Sequence, residues 1–202
     1  MIDRSQKYSS DLKSESPWFN EFKKVLALYE SGVSLEDIKQ KIVRENLFGV
    51  GRTSTAETTC RYLLRRLNFM DAELLKLFNN SDLATQKIIN FIAIVRGDRL
   101  LSDFLNEVYR EKIIVGYSEL NATDINAFFT DKASHDDVVA KWSDTTLGRL
   151  RREYFLLLTD ANLLQRDGRK YLITPPILDI ALERYLQYNG EERLLKALMG
   201  VS

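Results

Sequence analysis

Basic and hydroxyl side chains recur at helical spacing in the C-terminal third of this sequence, and together they have the chemistry of phosphate contacts. Thr145, Arg149 and Arg152 lie three and four residues apart, so a helix would place them on one face. Guanidinium groups and hydroxyls on a common face donate hydrogen bonds to the oxygens of a polyanion. The alternative is an ordinary solvated helix face. The spacing therefore predicts either a nucleic-acid contact or a polar surface in water.

A helix that begins near Ser143 must carry this face. Ser143 or Asp144 can cap it, because a short side-chain oxygen accepts hydrogen bonds from the free amides of the first turn. Apolar residues at spacings of three and four define its buried side: Leu147, Leu150, Tyr154, Leu157 and Leu158. The sequence thus predicts an amphipathic helix with its basic residues facing outward.

A hairpin with a basic tip is predicted directly after this helix. Two short runs, 163–166 and 170–174, flank Asp167-Gly168, a dipeptide that favours a tight turn. The basic residues of this tip are Arg166, Arg169 and Lys170. A helix followed by such a hairpin is typical of a winged helix, whose wing would touch phosphate or the minor groove. A small α+β core with solvated polar faces is the alternative.

A second basic helix is predicted nearer the N-terminus, after a turn that contains Gly49 and Gly51. Its candidate caps are Thr53, Ser54 and Thr55, and its apolar face consists of Ala56, Cys60, Leu63, Leu64 and Leu67. Its candidate DNA contacts, including one arginine just before the helix, are Arg52, Ser54, Thr58, Arg61 and Arg65. Helix, turn and capped basic helix predict a helix-turn-helix-like unit, with a longer turn than the tight prokaryotic form has.

The sequence favours no catalytic site. The loop before the second basic helix, Gly-Val-Gly-Arg-Thr-Ser, lacks the Gly-Lys-Ser/Thr ending of a nucleotide-binding loop, and no strand is predicted before it. His135 is the only histidine and suits a surface or capping role, whereas Cys60 reads as a buried, inert thiol. One histidine and one cysteine cannot supply a structural zinc site. We therefore expect no enzyme activity, no metal and no cofactor.

Further helices are predicted along the rest of the chain, whereas residues 1–15 are expected to be frayed. The expected helical ranges are 17–31, 34–47, 71–78, 81–96, 98–111, 124–131, 134–141 and 177–189. Their expected first residues or caps include Pro17, Ser34, Thr123 and Ser134. A short amphipathic tail, 191–199, is expected to dock on the body of the protein or on a partner.

These elements predict a mainly α protein in three parts. They are a helix-turn-helix-like N-terminal unit (1–70), a helical connecting region (71–120) and a C-terminal winged-helix-like domain with a small β-hairpin and further helices (121–202). The longest apolar run, 88–95, is too short to span a bilayer, and the polar N-terminal residues do not resemble a signal peptide. A single cysteine excludes an internal disulfide, so we expect a cytoplasmic protein without a membrane partner.

The distribution of charge is more informative than its sum. The 202 residues include 29 basic and 29 acidic side chains, and a net charge of zero argues against a protein that binds nucleic acid with its whole surface. Residues 38–70 carry a net charge of +5 and residues 141–170 a net charge of +3, which leaves −8 on the rest. Two basic segments on an acidic body favour localised phosphate contacts.

Three stretches of the sequence also resemble a known family. They read RTSTAETTCRYLLRRLNFMDAELLKLF, WSDTTLGRLRREYFLLLTDANLL and PILDIALERYL, and the resemblance extends from about Ser31 to Tyr185. The family is BrxA of the BREX bacteriophage-exclusion systems, once described as NusB-like. The resemblance implies a largely helical, non-enzymatic DNA-binding protein that works beside a BREX methyltransferase, an ATPase and other components in host defence.

The leading hypothesis is a protein that contacts duplex DNA through two basic helices and a wing. Two alternatives remain open. A protein-interaction adaptor within a BREX complex would be favoured by exposed apolar patches on the C-terminal tail. RNA binding, which the NusB-like description suggests, would be favoured by an aromatic stacking platform beside the basic faces.

Overall fold

The computed structural model describes residues 7–201 and is mainly α-helical with one antiparallel hairpin, which confirms the predicted fold class. Its first helices are α1 (Phe19–Glu30), α2 (Leu35–Val43), α3 (Thr53–Leu67), α4 (Ala72–Asn80) and α5 (Leu83–Arg96). They are followed by α6 (Arg99–Phe104), a π-helical segment (Leu105–Tyr109) and α7 (Arg110–Val115). The C-terminal part contains α8 (Ala122–His135), α9 (Asp137–Ala140), α10 (Asp144–Asp160), β1 (Leu164–Asp167), β2 (Lys170–Ile173), α11 (Ile180–Tyr188) and α12 (Glu192–Met199).

Two of the predicted helix caps are present. The Ser34 hydroxyl accepts a hydrogen bond from the Asp37 amide at 3.1 Å, and the Ser143 hydroxyl accepts one from the Thr146 amide at 3.3 Å. Each bond satisfies an amide that the first turn of a helix leaves without an intrahelical partner. Capping rules therefore located the starts of α2 and α10 correctly, whereas α2 ends at Val43 and not near residue 47.

The predicted caps of α8 and α9 are wrong. α8 begins after Asn121, whose amide donates to the Asp124 carboxylate at 2.7 Å in a capping box. The Ser134 hydroxyl donates to the Asp131 carbonyl at 2.6 Å inside α8, so that helix continues to His135. Asp136 then caps the short α9. Competing acceptors close in sequence made these two starts ambiguous.

The segment of residues 8–18, called the strap below, is packed into the protein. The expectation that residues 1–15 fray is wrong from residue 8 onward, and residues 1–6 lie outside the described part of the chain. The strap forms a 3-10 turn, Asp11–Ser14, and buries the side chains of Tyr8, Leu12 and Glu15. Its sequence looks polar, but three well-separated side chains are enough to attach it.

Contacts with distant residues also move the start of α1 away from its predicted position. Pro17 is not the first helical residue, because α1 begins at Phe19 after Trp18, whose φ of +40° is in the left-handed region. The Pro17 carbonyl accepts hydrogen bonds from the side chains of Arg66 and Asn90. These tertiary contacts hold a backbone conformation that is costly for a residue with a bulky side chain.

A buried ion pair between Arg66 and Glu15 attaches the strap to α3. Both side chains are only 1% exposed, and the Arg66 Nε donates to a Glu15 carboxylate oxygen at 2.9 Å. The Arg66 guanidinium also donates to the Ser16 and Pro17 carbonyls and, at 3.1 Å, to Asn90 of α5. A buried charge needs a partner and saturated hydrogen bonds. This network supplies both and joins strap, α3 and α5.

The middle of the chain forms the centre of the core. Residues 88–95 of α5 are all buried, as their apolar sequence predicted. Tyr109, at the end of the π-helical segment, is fully buried and donates its hydroxyl to the Leu163 carbonyl at 3.1 Å. Burial raises the pKa of the Tyr109 phenol, so it remains a donor at any physiological pH. The central helices are thereby linked to the residues just before the hairpin.

The C-terminal tail docks on the body of the protein. The buried residues of α12 are Leu194, Leu195, Ala197 and Leu198. At the start of this tail, the Glu191 carboxylate accepts hydrogen bonds from Arg96 of α5, which also donates to the Tyr185 hydroxyl at 3.0 Å. The predicted helix 177–189 is shorter than expected, because α11 begins at Ile180 after a cap by Asp179. Ile177 lies before this helix and Ile180 at its first residue, and both side chains are exposed.

We predict that Arg66→Met lowers the free energy of unfolding by about 3–5 kcal/mol, because it removes the buried charge that pairs with Glu15 and the donor to the Ser16 carbonyl, and leaves Glu15 paired only with the partly exposed Arg65. Urea unfolding followed by circular dichroism measures this loss. The control is Arg44→Met at an exposed position, expected to cost less than about 0.5 kcal/mol. Equal losses in the two variants would contradict the central role of the Arg66 network.

We predict a pH-dependent contribution to stability from Asp98, which is 3% exposed and whose pKa burial raises to about 7. The folded state keeps this proton up to about pH 7, whereas the unfolded state loses it near its ordinary pKa of 3.8. The stabilisation is therefore complete below that lower value and is lost as pH rises through about 7, with a slope of at most about 1.4 kcal/mol per pH unit.

Asp98→Asn should flatten this decline between pH 5 and pH 7, because an amide oxygen can still accept from the Leu101 amide. The measurement is thermal unfolding across that range. Asp82→Asn is the matched control, since Asp82 caps α5 in the same way but its hydrogen bonds from Thr85 lower its pKa. If the Asp98 and Asp82 variants show the same pH slope as the unsubstituted protein, the burial argument is wrong.

Candidate nucleic-acid interface

The three predicted contact residues of α10 lie together on its solvent side. Thr145, Arg149 and Arg152 are all exposed, whereas Leu150 and Tyr154 on the opposite side are 1% and 0% exposed. The apolar side packs against α8, α5 and the strap. α10 therefore presents hydroxyl and guanidinium donors along one open face of a 17-residue helix.

A buried carboxylate orients Arg152. Glu153 is 4% exposed, and its Oε1 accepts hydrogen bonds from the Arg152 Nε at 3.2 Å and Nη2 at 2.8 Å. Its Oε2 accepts from the Ser16 hydroxyl of the strap at 3.2 Å. The Arg152 side chain stays 70% exposed, so its remaining N–H groups point to solvent from a defined position.

Arg149 differs from Arg152 in having no hydrogen bond or ion pair to the side chains of residues 7–201. Leu156 lies one helical turn beyond Arg152 and is 45% exposed on the same face. Sequence reasoning did not identify Leu156 as part of this surface, because it sits within a run of leucines whose other members are buried. The face thus combines a positioned arginine, an unrestrained arginine and an apolar side chain.

An open cleft borders this face on the side of α8. Its volume is about 500 Å³, and its walls include Gly148 and Arg151 of α10 and Asn126 of α8. The Arg151 Nη1 donates to the Asn126 side-chain oxygen at 2.8 Å, so this basic residue is turned toward α8. Space around Gly148 is empty, which lets a ligand approach the α10 backbone closely.

The predicted hairpin is present, but its two turn residues are Gly168 and Arg169, because Asp167 lies at the end of β1 and pairs with Lys170. Leu164 pairs with Ile173 and Asp167 with Lys170, and the turn contains Gly168 at a φ of +58°. A third extended segment, missed in the sequence, adds a bridge between Glu119 and Leu172. This bridge places β2 between β1 and the chain just before α8.

The basic side chains at the hairpin tip are all exposed, but they differ in how firmly hydrogen bonds hold them. The Lys170 Nζ donates to the Glu119 carboxylate at 2.6 Å, and this bond raises the pKa of the Lys170 ammonium. The Arg166 Nε donates to the Gly168 carbonyl at 3.1 Å, which folds that side chain back along the turn. Arg169 has no side-chain partner among residues 7–201. Arg169 is therefore the least restrained cation of the tip.

An aromatic stack attaches the hairpin to α10. The rings of Phe155 and Tyr171 lie 4.1 Å apart at an angle of 22° between their planes. Phe155 is 8% exposed, so the stack also closes the core beneath the hairpin. The tip and the exposed face of α10 consequently belong to one structural unit.

The basic face of α3 is less available than its sequence indicated. Arg52 and Ser54 are exposed at its first turn, which has no side-chain cap, and Thr58 is half-buried. Arg61 is exposed and stacks on the Tyr62 ring, with its guanidinium carbon 5.1 Å from the ring centroid. Arg61 is the basic side chain of this helix with the best access to a ligand.

Arg65 is paired with the strap. Its guanidinium donates to the Glu15 carboxylate and, at 3.3 Å, to that of Asp11, and its side chain is 31% exposed. Together with the buried Arg66, this pairing removes two positive charges from a segment that looks strongly basic in the sequence. The sequence did contain a signal for the burial of Arg66, because this residue lies three positions after Leu63 on the apolar side of the helix. Nothing local pointed to the acidic strap as the partner.

The strap brings the basic residues of α3 and α10 near each other. Arg65 contacts Glu15, the next residue Ser16 contacts Glu153, and Glu153 contacts Arg152. Adding extended side-chain lengths along this path gives an upper limit of roughly 20 Å between the two guanidinium groups. One turn of a B-form duplex spans about 34 Å. The two guanidinium groups are thus separated by less than one turn of a duplex.

The described residues offer little to catalysis or metal binding. Among residues 7–201, no group of three or more His, Cys, Asp and Glu side chains is placed to hold a metal ion. The Cys60 thiol is 2% exposed, and burial raises its pKa, which makes it a poor nucleophile. The exposed His135 Nδ1 lies 2.8 Å from the Asp131 carbonyl of its own helix. No helix in this part of the chain has the length and apolar character needed to cross a bilayer.

Comparison with known proteins identifies the family. The BrxA family model matches residues 6–190. A BREX protein BrxA of Bacillus cereus (strain H3081.97) is 31% identical over 197 residues, which cover 98% of each chain. This chain belongs to the BrxA family. The resemblance seen in the sequence is thereby confirmed.

Similarity to more distant proteins extends over nearly the whole chain. A BREX protein BrxA of Escherichia coli O9:H4 (strain HS) is 20% identical, and the match covers 99% of this chain and 93% of the relative. A crystal structure of a protein from Magnetospirillum magneticum is similar with a TM-score of 0.81 at 19% identity, over 96% of this chain and 100% of the other. The fold therefore tolerates replacement of most side chains.

We predict that Tyr171→Ala loosens the hairpin without disturbing α10, because it removes the ring that stacks on Phe155. Amide hydrogen exchange of residues 164–173 should accelerate about fivefold, as expected for losing roughly 1 kcal/mol of aromatic contact. Tyr188→Ala, at a side chain that is 89% exposed, is the matched control. Unchanged exchange in the hairpin would show that the strand pairing alone holds it.

Proposed function

We propose that this BrxA protein is a non-enzymatic, DNA-binding accessory protein of a BREX phage-defence system. It binds duplex DNA with α10 and the hairpin, and α3 adds a smaller contact. The observation that carries this proposal is the exposed face of α10, where Thr145, Arg149 and Arg152 follow one another along a helix that is attached to the basic hairpin by the Phe155–Tyr171 stack. The order α8, α9, α10 and hairpin is that of a winged helix.

The contacts divide by how firmly each side chain is held. Arg152 is oriented by Glu153 and suits a phosphate, because a fixed guanidinium loses little freedom on binding. Arg149 is unrestrained and can extend into the major groove toward base edges. Arg169 reaches phosphate or the minor groove from the hairpin tip. Most of these contacts position the protein, so affinity exceeds sequence discrimination.

On α3 the proposed contacts are the first turn and Arg61. Arg52, Ser54 and the uncapped amides of the first turn can hold one backbone phosphate. Arg61 extends along the duplex from its position on the Tyr62 ring. Arg65 contributes little, because Asp11 and Glu15 already neutralise it.

Duplex DNA is favoured over RNA by the burial of the neighbouring aromatic rings. Tyr62 beside the α3 face is 5% exposed, and Phe155 beneath the hairpin is 8% exposed. Neither offers the open ring on which an unpaired base would stack. A rigid helix with a hairpin beside it suits the grooves of a duplex better.

A second candidate function is an adaptor that binds another BREX component, such as the methyltransferase or the ATPase. One observation favours it. Ile177, Ile180 and Tyr188 are 100%, 63% and 89% exposed, and they lie along α11 and the loop just before it. Adjacent exposed apolar side chains are typical of protein contact surfaces. This surface is separate from the basic face, so the two functions are compatible.

We predict that Arg149→Glu combined with Arg152→Glu lowers affinity for a duplex at least tenfold at low salt. The substitution removes two cations and adds two anions on the proposed face. Fluorescence anisotropy with duplex DNA, single-stranded DNA and a structured RNA, each at two salt concentrations, measures the effect. The slope of log affinity against log salt concentration should also become shallower by roughly 1.8, which corresponds to the loss of about two phosphate contacts.

The charge-matched control is Arg184→Glu with Lys196→Glu, at exposed positions on α11 and α12. It changes net charge equally but leaves the α10 face intact, so its duplex affinity should change less than about twofold. Absence of binding by the unsubstituted protein to all three nucleic acids at low salt would refute the proposed function. Equal losses of duplex affinity in the two charge variants would mean that the protein attracts DNA through its net charge and not through the α10 face.

A further inference from the structure

The strap contacts both basic helices directly, as α5 also does. α3 and α10 have little contact with each other, and both pack against α5 and the strap. On the α3 side, the strap accepts hydrogen bonds from Tyr62 at 3.0 Å, from Arg65 and from Arg66. On the α10 side, its 3-10 turn packs against the helix and Ser16 donates to Glu153.

The two sides of this link are chemically different. The α3 side is a buried ion pair saturated with hydrogen bonds, in which Arg66 and Glu15 are each 1% exposed. The α10 side depends on the apolar side chain of Leu12, which is 0% exposed, and on one hydrogen bond from Ser16. The link to α10 can therefore be weakened without leaving a buried charge unpaired.

Resting on the DNA-binding function proposed above, we propose that the strap is a positioning element that fixes α3 relative to α10, so that both helices bind one duplex together. Its residues Leu12, Glu15 and Ser16 touch no DNA themselves. Fixed spacing makes the α3 contact effectively intramolecular once α10 is bound, which raises its contribution to affinity. Without the strap contacts, α3 would first have to be brought into position on the duplex, and this ordering costs binding free energy.

The positioning role is tested first without DNA. Spin labels on Glu57→Cys in α3 and Leu156→Cys in α10, both exposed, report the distance between the helices by pulsed electron resonance. Cys60→Ala removes the native thiol from these proteins. With the strap intact, the expected result is one narrow distance distribution. Leu12→Ala with Ser16→Ala should broaden or shift it.

The matched control is Leu74→Ala in α4, which removes the same atoms from a fully buried site far from the strap. It should leave the distance distribution narrow although the protein becomes less stable. If the Leu12 variant fails to fold, Ser16→Ala alone, which removes only the hydrogen bond to Glu153, provides the comparison. An unchanged distribution in the folded strap variant overturns the inference.

The second measurement asks whether positioning affects binding to a 24-base-pair duplex. Arg61→Ala should weaken binding on the order of fivefold when the strap is intact, as expected for losing about one phosphate contact. In the strap variant, Arg61→Ala should weaken binding less than about twofold, because α3 no longer engages the duplex together with α10. An equal loss in both backgrounds overturns the inference.

The two proposals fail in different ways. If the unsubstituted protein binds no duplex, the proposed function fails, and the inference loses its functional half with it, whatever the spin labels report. If the protein binds duplex but the contribution of Arg61 is independent of the strap, the DNA-binding function stands and the strap is merely structural.

Discussion

The buried pairing of Arg66 with Glu15 is the interaction on which the N-terminal half of this structure depends. Burying two charges is costly, and the cost is offset only because the guanidinium also donates to the Ser16 and Pro17 carbonyls and to Asn90. These bonds fix the strap, the left-handed Trp18 and the start of α1 together. An apolar core alone would not have determined where this segment lies, since hydrophobic burial is non-directional.

The same pairing changes the electrostatic interpretation of the molecule. Sequence charge suggested two comparable basic segments, but Arg65 and Arg66 of the first are neutralised by acidic residues of the strap. On α10, by contrast, the buried Glu153 holds Arg152 outward and leaves most of its side chain in solvent. A carboxylate can therefore either remove an arginine from a binding surface or prepare it for one. The outcome depends on which partner is buried.

Membership of the BrxA family supports a role in a BREX system, whereas the geometry of α10 with its hairpin supports the proposed contact with DNA. Family membership concerns the whole chain, whereas the geometry concerns a single surface on which basic side chains meet. The exposed apolar side chains around α11 lie elsewhere, so a protein partner and a duplex need not compete for the same residues. A small accessory protein with both surfaces could hold another component of the system close to DNA.

The sequence by itself determined the helical class, the presence of a hairpin that turns at Gly168 and the solvent-facing side of α10, because capping, turn chemistry and apolar periodicity act over a few residues. It also identified the family, since that pattern extends over most of the chain. Only the tertiary structure decided which arginines remain available. Glu15 lies 51 residues from Arg66, and Ser16 lies 137 residues from Glu153. No local rule predicts contacts at such separations. For the same reason the strap, polar in sequence, proved to be part of the core.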